Sequence, residues 1–364
     1  MQLLFTIPDF WPHVRRGSER IVHDLSVSMA RRGHDVTVLT RQPGGRGRSV
    51  RTEGFAIRYV GTPIFPGRRG ALAGLELFAL QAMARGLGSP AALHHAFYIT
   101  DAYGLVQAAR LRRRPVVFSW HGVPDATWWE LHMRRIHHQY RAMAARADRV
   151  TVMAESSARR FRDDYHAEPT VLVPGIFVDD YALPKVPPAR PRIVSSAAMD
   201  DPRKRIDVLV DAFGRLVSWG HDVELVLVGG DPTPVRRLVA AQPEEVRQRI
   251  TASATISDLA PIYAGATIGA LSSENEAFGL VALEYQASGM PAVVGDDGGS
   301  RELVSTETGR TFRRGDGADC ARALAEALDL ACDPRTANHC REHARQWDWT
   351  VRGDAYEDIY RALT

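Results

Sequence analysis

The sequence predicts an α/β protein built from two doubly wound domains, each a mostly parallel sheet covered by helices. Three observations carry this. Short apolar runs alternate with helix-patterned segments through the first half, a proline-rich stretch interrupts them, and the alternation then restarts. The 364 residues, 45% hydrophobic and 24% charged, are enough for two globular domains of ordinary size.

In the first half QLLFTI, DVTVLT, FAIRYV, PVVFSW and RVTVM read as strands. Several are apolar on both faces, as parallel strands buried between helices must be. Between the first two lies SERIVHDLSVSMARRGH, with apolar residues at helical spacing and Gly33 placed to end the helix. YALPKVPPARPR then places four prolines in twelve residues, which neither a helix nor a central strand tolerates. The expected division is a first domain over 1–182, a linker over 183–192 and a second domain over 193–345. A terminal amphipathic helix over 346–364 is free to cap either domain. In the second domain RIVSSA, VELVLVGG, ATISD, TIGALS and PAVVG read as strands, and IDVLVDAFGRLVSWG as a helix. The halves share a pattern but no strong sequence repeat. Two such domains are expected to leave a cleft at the carboxyl ends of their strands.

A net charge of +3, from 46 basic and 43 acidic residues, excludes a global nucleic-acid-binding field. Cys320, Cys332 and Cys340 form no CxxC pair, which points to reduced thiols and a cytoplasmic protein. The opening MQLLFTIPDF reads as a first strand and not as a signal peptide. Apolar stretches stay well short of the roughly 20 residues of a membrane span.

The most informative segment is LSSENEAFGLVALEYQASGMPAVVGDDGGSREL. TIGAL before it reads as a strand, Ser272 to Glu276 as a loop, and Gly279 to Ser288 as a helix. Such a step aims unpaired N–H groups and the positive end of a helix dipole at one point, an anion site. Glu276 sits on the loop, and Glu284 follows about a turn and a half into the helix. An anion cradle with two carboxylates suits a nucleotide-sugar: N–H groups for diphosphate, carboxylates for hydroxyls.

Glu276, Phe278, Gly279 and Glu284, with Gly289 and Pro291 beyond, resemble the E-x7-E signature of retaining glycosyltransferases of family 4. Gly17 to Glu19, Trp120-His121-Gly122, ADRVTVMAESSARRF and VPGIFVDDY resemble further pieces of that family in the same order. The resemblance implies the GT-B fold, two facing Rossmann-like domains with an interdomain cleft, the first binding acceptor and the second nucleotide-sugar. It also implies transfer with retention to an acceptor hydroxyl, without metal and with no cofactor beyond the nucleoside-diphosphate sugar. Glu276, His121 and Lys204 would be catalytic. Gly17, Arg203, Gly229, Gly230, Phe278, Gly279, Leu280 and Glu284 would hold the donor, with Lys204 on the diphosphate and Glu284 on the ribose. In two places the chain departs from the family. The family's arginine before the lysine falls on Ala198 or Met199, and Arg16 replaces one of the paired glycines beside Gly17.

Each residue also has a plainer reading. Glu284 could be a surface helix carboxylate, Gly17 and Gly279 turn glycines, His121 a structural histidine, and Arg203 and Arg205 a solvated basic turn. ATWWELHMRRIHHQYRAMAARADR, a basic helix, could meet anionic lipid or simply be a solvated face. The expected partners are a nucleotide-sugar and a small-molecule, saccharide or lipid-linked acceptor, with no nucleic acid. Two alternatives stay open: a nucleotide-sugar-binding protein with weakened catalysis, motivated by Ala198, and a nicotinamide-dependent oxidoreductase. The latter needs a G-x-G-x-x-G that PGGRGRS, VGGDPTP and GDDGGSR do not supply.

Overall fold

The structure, a computed structural model, describes residues 1–64, 67–122, 142–143, 146–254, 256 and 258–364. Most of the basic helix expected near residues 128–146, including Trp128, Arg134 and Tyr140, lies outside them. The chain forms two compact units. Unit 1 comprises Met1–Gly175 and Trp349–Thr364, and unit 2 comprises Ile176–Asp348. The unit boundary thus falls ahead of the proline-rich stretch.

Unit 1 holds an eight-stranded sheet in the order β3-β4-β2-β1-β5-β6-β7-β8. Its strands are β1 (Gln2–Thr6), β2 (Asp35–Pro43), β3 (Arg48–Thr52), β4 (Phe55–Thr62), β5 (Leu93–Ala96), β6 (Val116–Trp120), β7 (Arg149–Val152) and β8 (Thr170–Val171). All pair in parallel except β3, which meets β4 antiparallel at the edge. The helix α1 (Gly17–Arg31) follows β1 and buries Ile21, Val22, Leu25 and Met29, one stripe at helical spacing. It ends where Gly33 takes φ 84°, a left-handed conformation that glycine adopts without strain. Next come α2 (Gly67–Leu87), α3 (Ile99–Arg112) and α4 (Glu155–Tyr165).

β5 escapes sequence reading because LHHA carries two histidines, yet both are fully buried. His95 is affordable there because Nδ1 meets Tyr360 Oη at 2.7 Å and Nε2 meets Ser119 Oγ at 2.7 Å. Ser119 Oγ continues to Thr151 Oγ1 at 2.6 Å, so one polar chain crosses β5, β6 and β7. Tyr360 belongs to the terminal helix Trp349–Leu363, whose Asp354 also accepts from Arg32, the residue just after α1, at 2.5 Å.

Unit 2 holds a six-stranded sheet, all parallel, in the order β11-β10-β9-β12-β13-β14. The strands are β9 (Arg192–Ser196), β10 (Glu224–Val228), β11 (Ile250–Ser253), β12 (Ile268–Leu271), β13 (Ala292–Gly295) and β14 (Gly309–Phe312). β11 lies just before the ATISD expected to form it. Counted from β9, the order is 3-2-1-4-5-6, that of a dinucleotide-binding doubly wound sheet. The main helices are α5 (Ile206–Ser218), α6 (Leu280–Ala287), α7 (Gly317–Ala331) and α8 (Thr336–Arg345), with Trp349–Leu363 of unit 1 following as α9. Leu209, Phe213 and Leu216 of α5 and Ala321, Leu324 and Ala327 of α7 share one core. Each large apolar side chain buried there contributes about 1.5–3 kcal/mol. Gly269 of β12 lies under the Tyr285 ring, where a Cβ would overlap the ring carbons.

Both sheets are Rossmann-like. Among the described residues, no helix is long and apolar enough to cross a membrane.

Candidate functional site

Strand order reverses in unit 2 between β9 and β12, and the loops leaving their carboxyl ends flank the crevice where doubly wound sheets bind ligands. The loop after β9 runs through Ala198 and a 3-10 turn, Pro202–Lys204, capped by the Asp201 side chain accepting from Arg203 N. The loop after β12 carries Ser272 to Gly279. The two are stitched together: Ser272 Oγ donates to Lys204 O at 2.8 Å and Glu274 N donates to Arg203 O at 2.8 Å. Across this seam Lys204 Nζ donates to Glu276 Oε2 at 2.7 Å. The loop after β13 closes the third side, with Gly299 N donating to Glu276 O at 2.7 Å. Gly298 permits that approach, since a Cβ there would overlap the Glu276 backbone.

Gly279 stands before α6 with φ 97°, so the backbone turns sharply into the helix. The N–H groups of Phe278, Gly279 and Leu280 have no hydrogen-bond partner among the described residues. They sit at the positive end of α6, the arrangement that binds anions. The Phe278 ring is buried, edge-on to Trp347 at 6.0 Å, so only its backbone faces the crevice chemistry.

Glu284 is buried, only 8% exposed, so the plain surface-carboxylate reading is overturned. Tyr263 Oη lies 3.0 Å from Glu284 Oε2 and 2.9 Å from Ser196 Oγ. A phenol has one proton and a carboxylate only accepts, so Tyr263 donates to Glu284 and the Ser196 hydroxyl donates to Tyr263. Burial beside that carboxylate holds the Tyr263 phenol protonated, well above its ordinary value. Tyr263 and Ser196 carry no motif signal, and sequence reasoning missed both.

Of the candidate cations, Lys204 faces Glu276, whereas Arg203 is bound through Nε and Nη2 to Asp201 at 3.1 and 2.6 Å. Of the two positions where the family's arginine falls, Met199 is buried and Ala198 is exposed, so the exposed position carries no charge. Arg205 and Arg314 both meet Glu274, the latter at 3.0 Å, and so lie one loop residue-pair away from Glu276. Gly229 (φ 119°) and Gly230 (φ 65°) end β10 against the β9 loop, where Met199 N donates to Gly229 O at 3.1 Å. A Cβ on Gly230 would overlap Asp200, so the pair shapes the crevice wall.

Unit 1 has its own reversal, between β1 and β5. Gly17 opens α1 behind exposed Arg16, with no side chain capping the helix. His121 follows β6, its ring 5.4 Å from Phe97, which stacks on His95 at 3.9 Å. Both His121 ring nitrogens are buried without a partner among the described residues. Burial lowers its pKa to about 3, so the imidazole is neutral. Glu19, in the first turn of α1, is buried with Oε2 unpartnered among the described residues, and burial raises its pKa to about 6. Its neighbour Gly17 is a candidate, yet a buried carboxyl at this helix start is legible only once α1 is packed.

These two Rossmann-like sheets, with a loop-to-helix step at the second switch point, have the GT-B fold. The chain belongs to glycosyltransferase family 4. Residues 15–179 match the model of Glycosyltransferase Family 4, and residues 190–330 match that of Glycosyl transferases group 1. The chain is 28% identical over 400 aligned positions to a D-inositol 3-phosphate glycosyltransferase of Kineococcus radiotolerans, covering 95% of this chain and 90% of that one. It is 29% identical to the protein of the same name from Salinispora tropica, covering 60% of this chain and 52% of that one. The matched region spans about half the length of the first such relatives. Sucrose-phosphate synthase from Thermosynechococcus elongatus shares the fold with a TM-score of 0.83 at 21% identity, over 100% of this chain and 98% of that one. Family membership leaves the nicotinamide reading without support.

Proposed function

We propose that the chain is a retaining glycosyltransferase that moves a sugar from a nucleoside diphosphate to an acceptor hydroxyl. The observation that carries this is the meeting, at one switch point, of Lys204, Glu276 and the three unpaired N–H groups of Phe278, Gly279 and Leu280. A diphosphate on those N–H groups draws Lys204 from Glu276 and frees the carboxylate for hydroxyls of the sugar. Glu284, oriented by Tyr263, takes the ribose. The names of the relatives, sugar transferases acting on an inositol phosphate, support the reaction class.

The bond from the anomeric carbon to the diphosphate oxygen breaks as the acceptor oxygen bonds to the same face. The acceptor's proton passes to the departing phosphate oxygen, so no side-chain base is consumed. Lys204 and the N–H groups stabilise the leaving charge. Unit 1 is proposed to bring the acceptor, with Gly17 offering backbone and neutral His121 a hydrogen bond to a sugar hydroxyl.

The test measures release of nucleoside diphosphate from a panel of uridine- and guanosine-linked hexoses, with the product anomer read by NMR. Glu276→Gln and Lys204→Ala should each lose at least about 100-fold in turnover. Undiminished turnover in either variant overturns that residue's role. Tight donor binding by the unaltered chain, with neither transfer nor slow donor hydrolysis, would establish a binding protein instead.

A further inference from the structure

The proline-rich stretch of unit 2 is fastened to one place. Pro184, Pro187, Pro188 and Pro191 keep it extended and strip it of N–H groups. Three of its residues converge on the end of a short helix, Ala260–Ala264. Lys185 Nζ donates to Tyr263 O at 3.1 Å and to Ala266 O at 2.9 Å. Val186 N donates to Ala264 O at 3.0 Å, and Arg192 Nη1 donates to Gly265 O at 3.1 Å. Every carbonyl from Tyr263 to Ala266 thus accepts from this one segment.

A helix of 5 residues barely completes a turn and does not hold itself together. Its last carbonyls need outside donors, and they form the negative pole that a cation offsets. Lys185 supplies that cation. Arg192 is shared with Glu224 at 3.1 Å, whereas Lys185 has no carboxylate partner among the described residues.

The turn held in this way carries Tyr263, whose phenol lies 3.0 Å from Glu284 Oε2. Backbone and side chain of one residue therefore join the linker to the carboxylate proposed for the ribose. The Tyr263 ring is fully buried, 6.0 Å from the Tyr181 ring and 5.2 Å from that of Tyr285. Close packing leaves it no slack, so a displaced backbone moves the phenol with it.

We propose that Lys185 is a positioning residue for the donor site: its two bonds fix the Tyr263 turn and, through it, the hydrogen bond from Tyr263 to Glu284. The link to donor binding rests on the ribose role given to Glu284 above, and the readouts below separate the two.

Burial, with the Arg341 guanidinium of α8 as a second cause, lowers the Lys185 pKa to about 8. The other titratable group facing it, Cys340 of α8, stays a thiol because burial pushes it up to about 12. Below its pKa Lys185 makes charge-assisted bonds, and above it the weaker bonds of a neutral amine. Tyr263 stays protonated across that change.

The experiment is carbon-13 NMR of the full chain with its tyrosines labelled at Cζ, the Tyr263 signal being the one lost in Tyr263→Phe. With no ligand present, that signal should step with a midpoint near pH 8. In Lys185→Met it should be displaced and the step absent. Lys185→Arg, charged throughout, should also lack the step. Below the midpoint, Lys185→Met should raise the donor KM roughly threefold or more, with a smaller change in kcat. In the Tyr263→Phe background it should add almost nothing, since both changes act on one contact.

A displaced signal with unchanged donor KM supports the clamp and overturns the ribose reading of Glu284. A signal that neither steps near pH 8 nor moves in Lys185→Met overturns the proposal, as does a KM effect that adds in full to that of Tyr263→Phe. The step is read in the unaltered chain, so it decides the matter even where Lys185→Met fails to accumulate.

Discussion

Lys204 and Glu276, 72 positions apart in sequence, stand 2.7 Å apart across the seam between the β9 and β12 loops. Both side chains are about one-fifth exposed, so the pair is worth little to stability, of the order of 1 kcal/mol or less. Under the proposed function each partner neutralises the other until a diphosphate competes for the lysine. Lys204→Met should therefore lower the unfolding midpoint in urea only slightly while abolishing donor binding in a thermal-shift titration. A large stability loss with intact donor binding would reverse that assignment.

Tyr263→Phe removes the donor to Glu284 and leaves a buried carboxylate with one hydrogen bond fewer. The expected cost is about 1–3 kcal/mol by urea unfolding, with a raised KM for the donor and a smaller change in kcat. Unchanged KM would separate Glu284 from donor binding.

Two groups of unit 1 carry pH dependences of opposite sign. Glu19 has its pKa raised from 4.5 to about 6, so the fold binds its proton more tightly than the unfolded chain does. The associated stability is present below pH 4.5 and is lost as pH rises through 6, amounting to about 2 kcal/mol. Glu19→Gln should accordingly stabilise the chain at pH 8 and not at pH 4, read as the difference in urea midpoints.

His121 has its pKa lowered from 6.5 to about 3. Its contribution is complete above pH 6.5 and is lost as pH falls from there towards 3. His121→Asn should flatten this acid limb of the stability profile. Turnover of the unaltered chain should show no inflection from this histidine between pH 6 and 8.

Gly269→Ala places a methyl group inside the Tyr285 ring. The loss should exceed about 3 kcal/mol, or soluble protein should fail to accumulate, because both backbone and ring are held by the core. Gly269→Ala/Tyr285→Leu should recover part of it, measured by urea unfolding.

Much of unit 2 is legible in the sequence because its strands are apolar runs and its loop-to-helix step at Gly279 is a local feature. The loop, Gly279 and the first turn of α6 adjoin one another, so composition alone locates the N–H cradle. What sets the side chains in place is not local. Tyr263 reaches Glu284 across 21 positions, and nothing in APIYA marks it as a polar donor. β5 is hidden for a related reason: LHHA reads as polar until Tyr360, 265 positions later, satisfies His95. β11 ends at Ser253, just before ATISD, of which Thr255 and Ser257 lie outside the described residues. The burial of Glu19 depends on how α1 packs against its sheet, a tertiary property that its helical spacing cannot convey.

The polar chain from Thr151 through Ser119 and His95 to Tyr360 bears on how the molecule is made. Unit 1 begins at the first residue, yet the helix that satisfies His95 emerges after all of unit 2 has been synthesised. On the ribosome, unit 2 is contiguous and free to fold as it appears, while the first sheet waits with a buried imidazole unsatisfied. The polar chain of the first sheet is thus completed only by the last helix of the sequence.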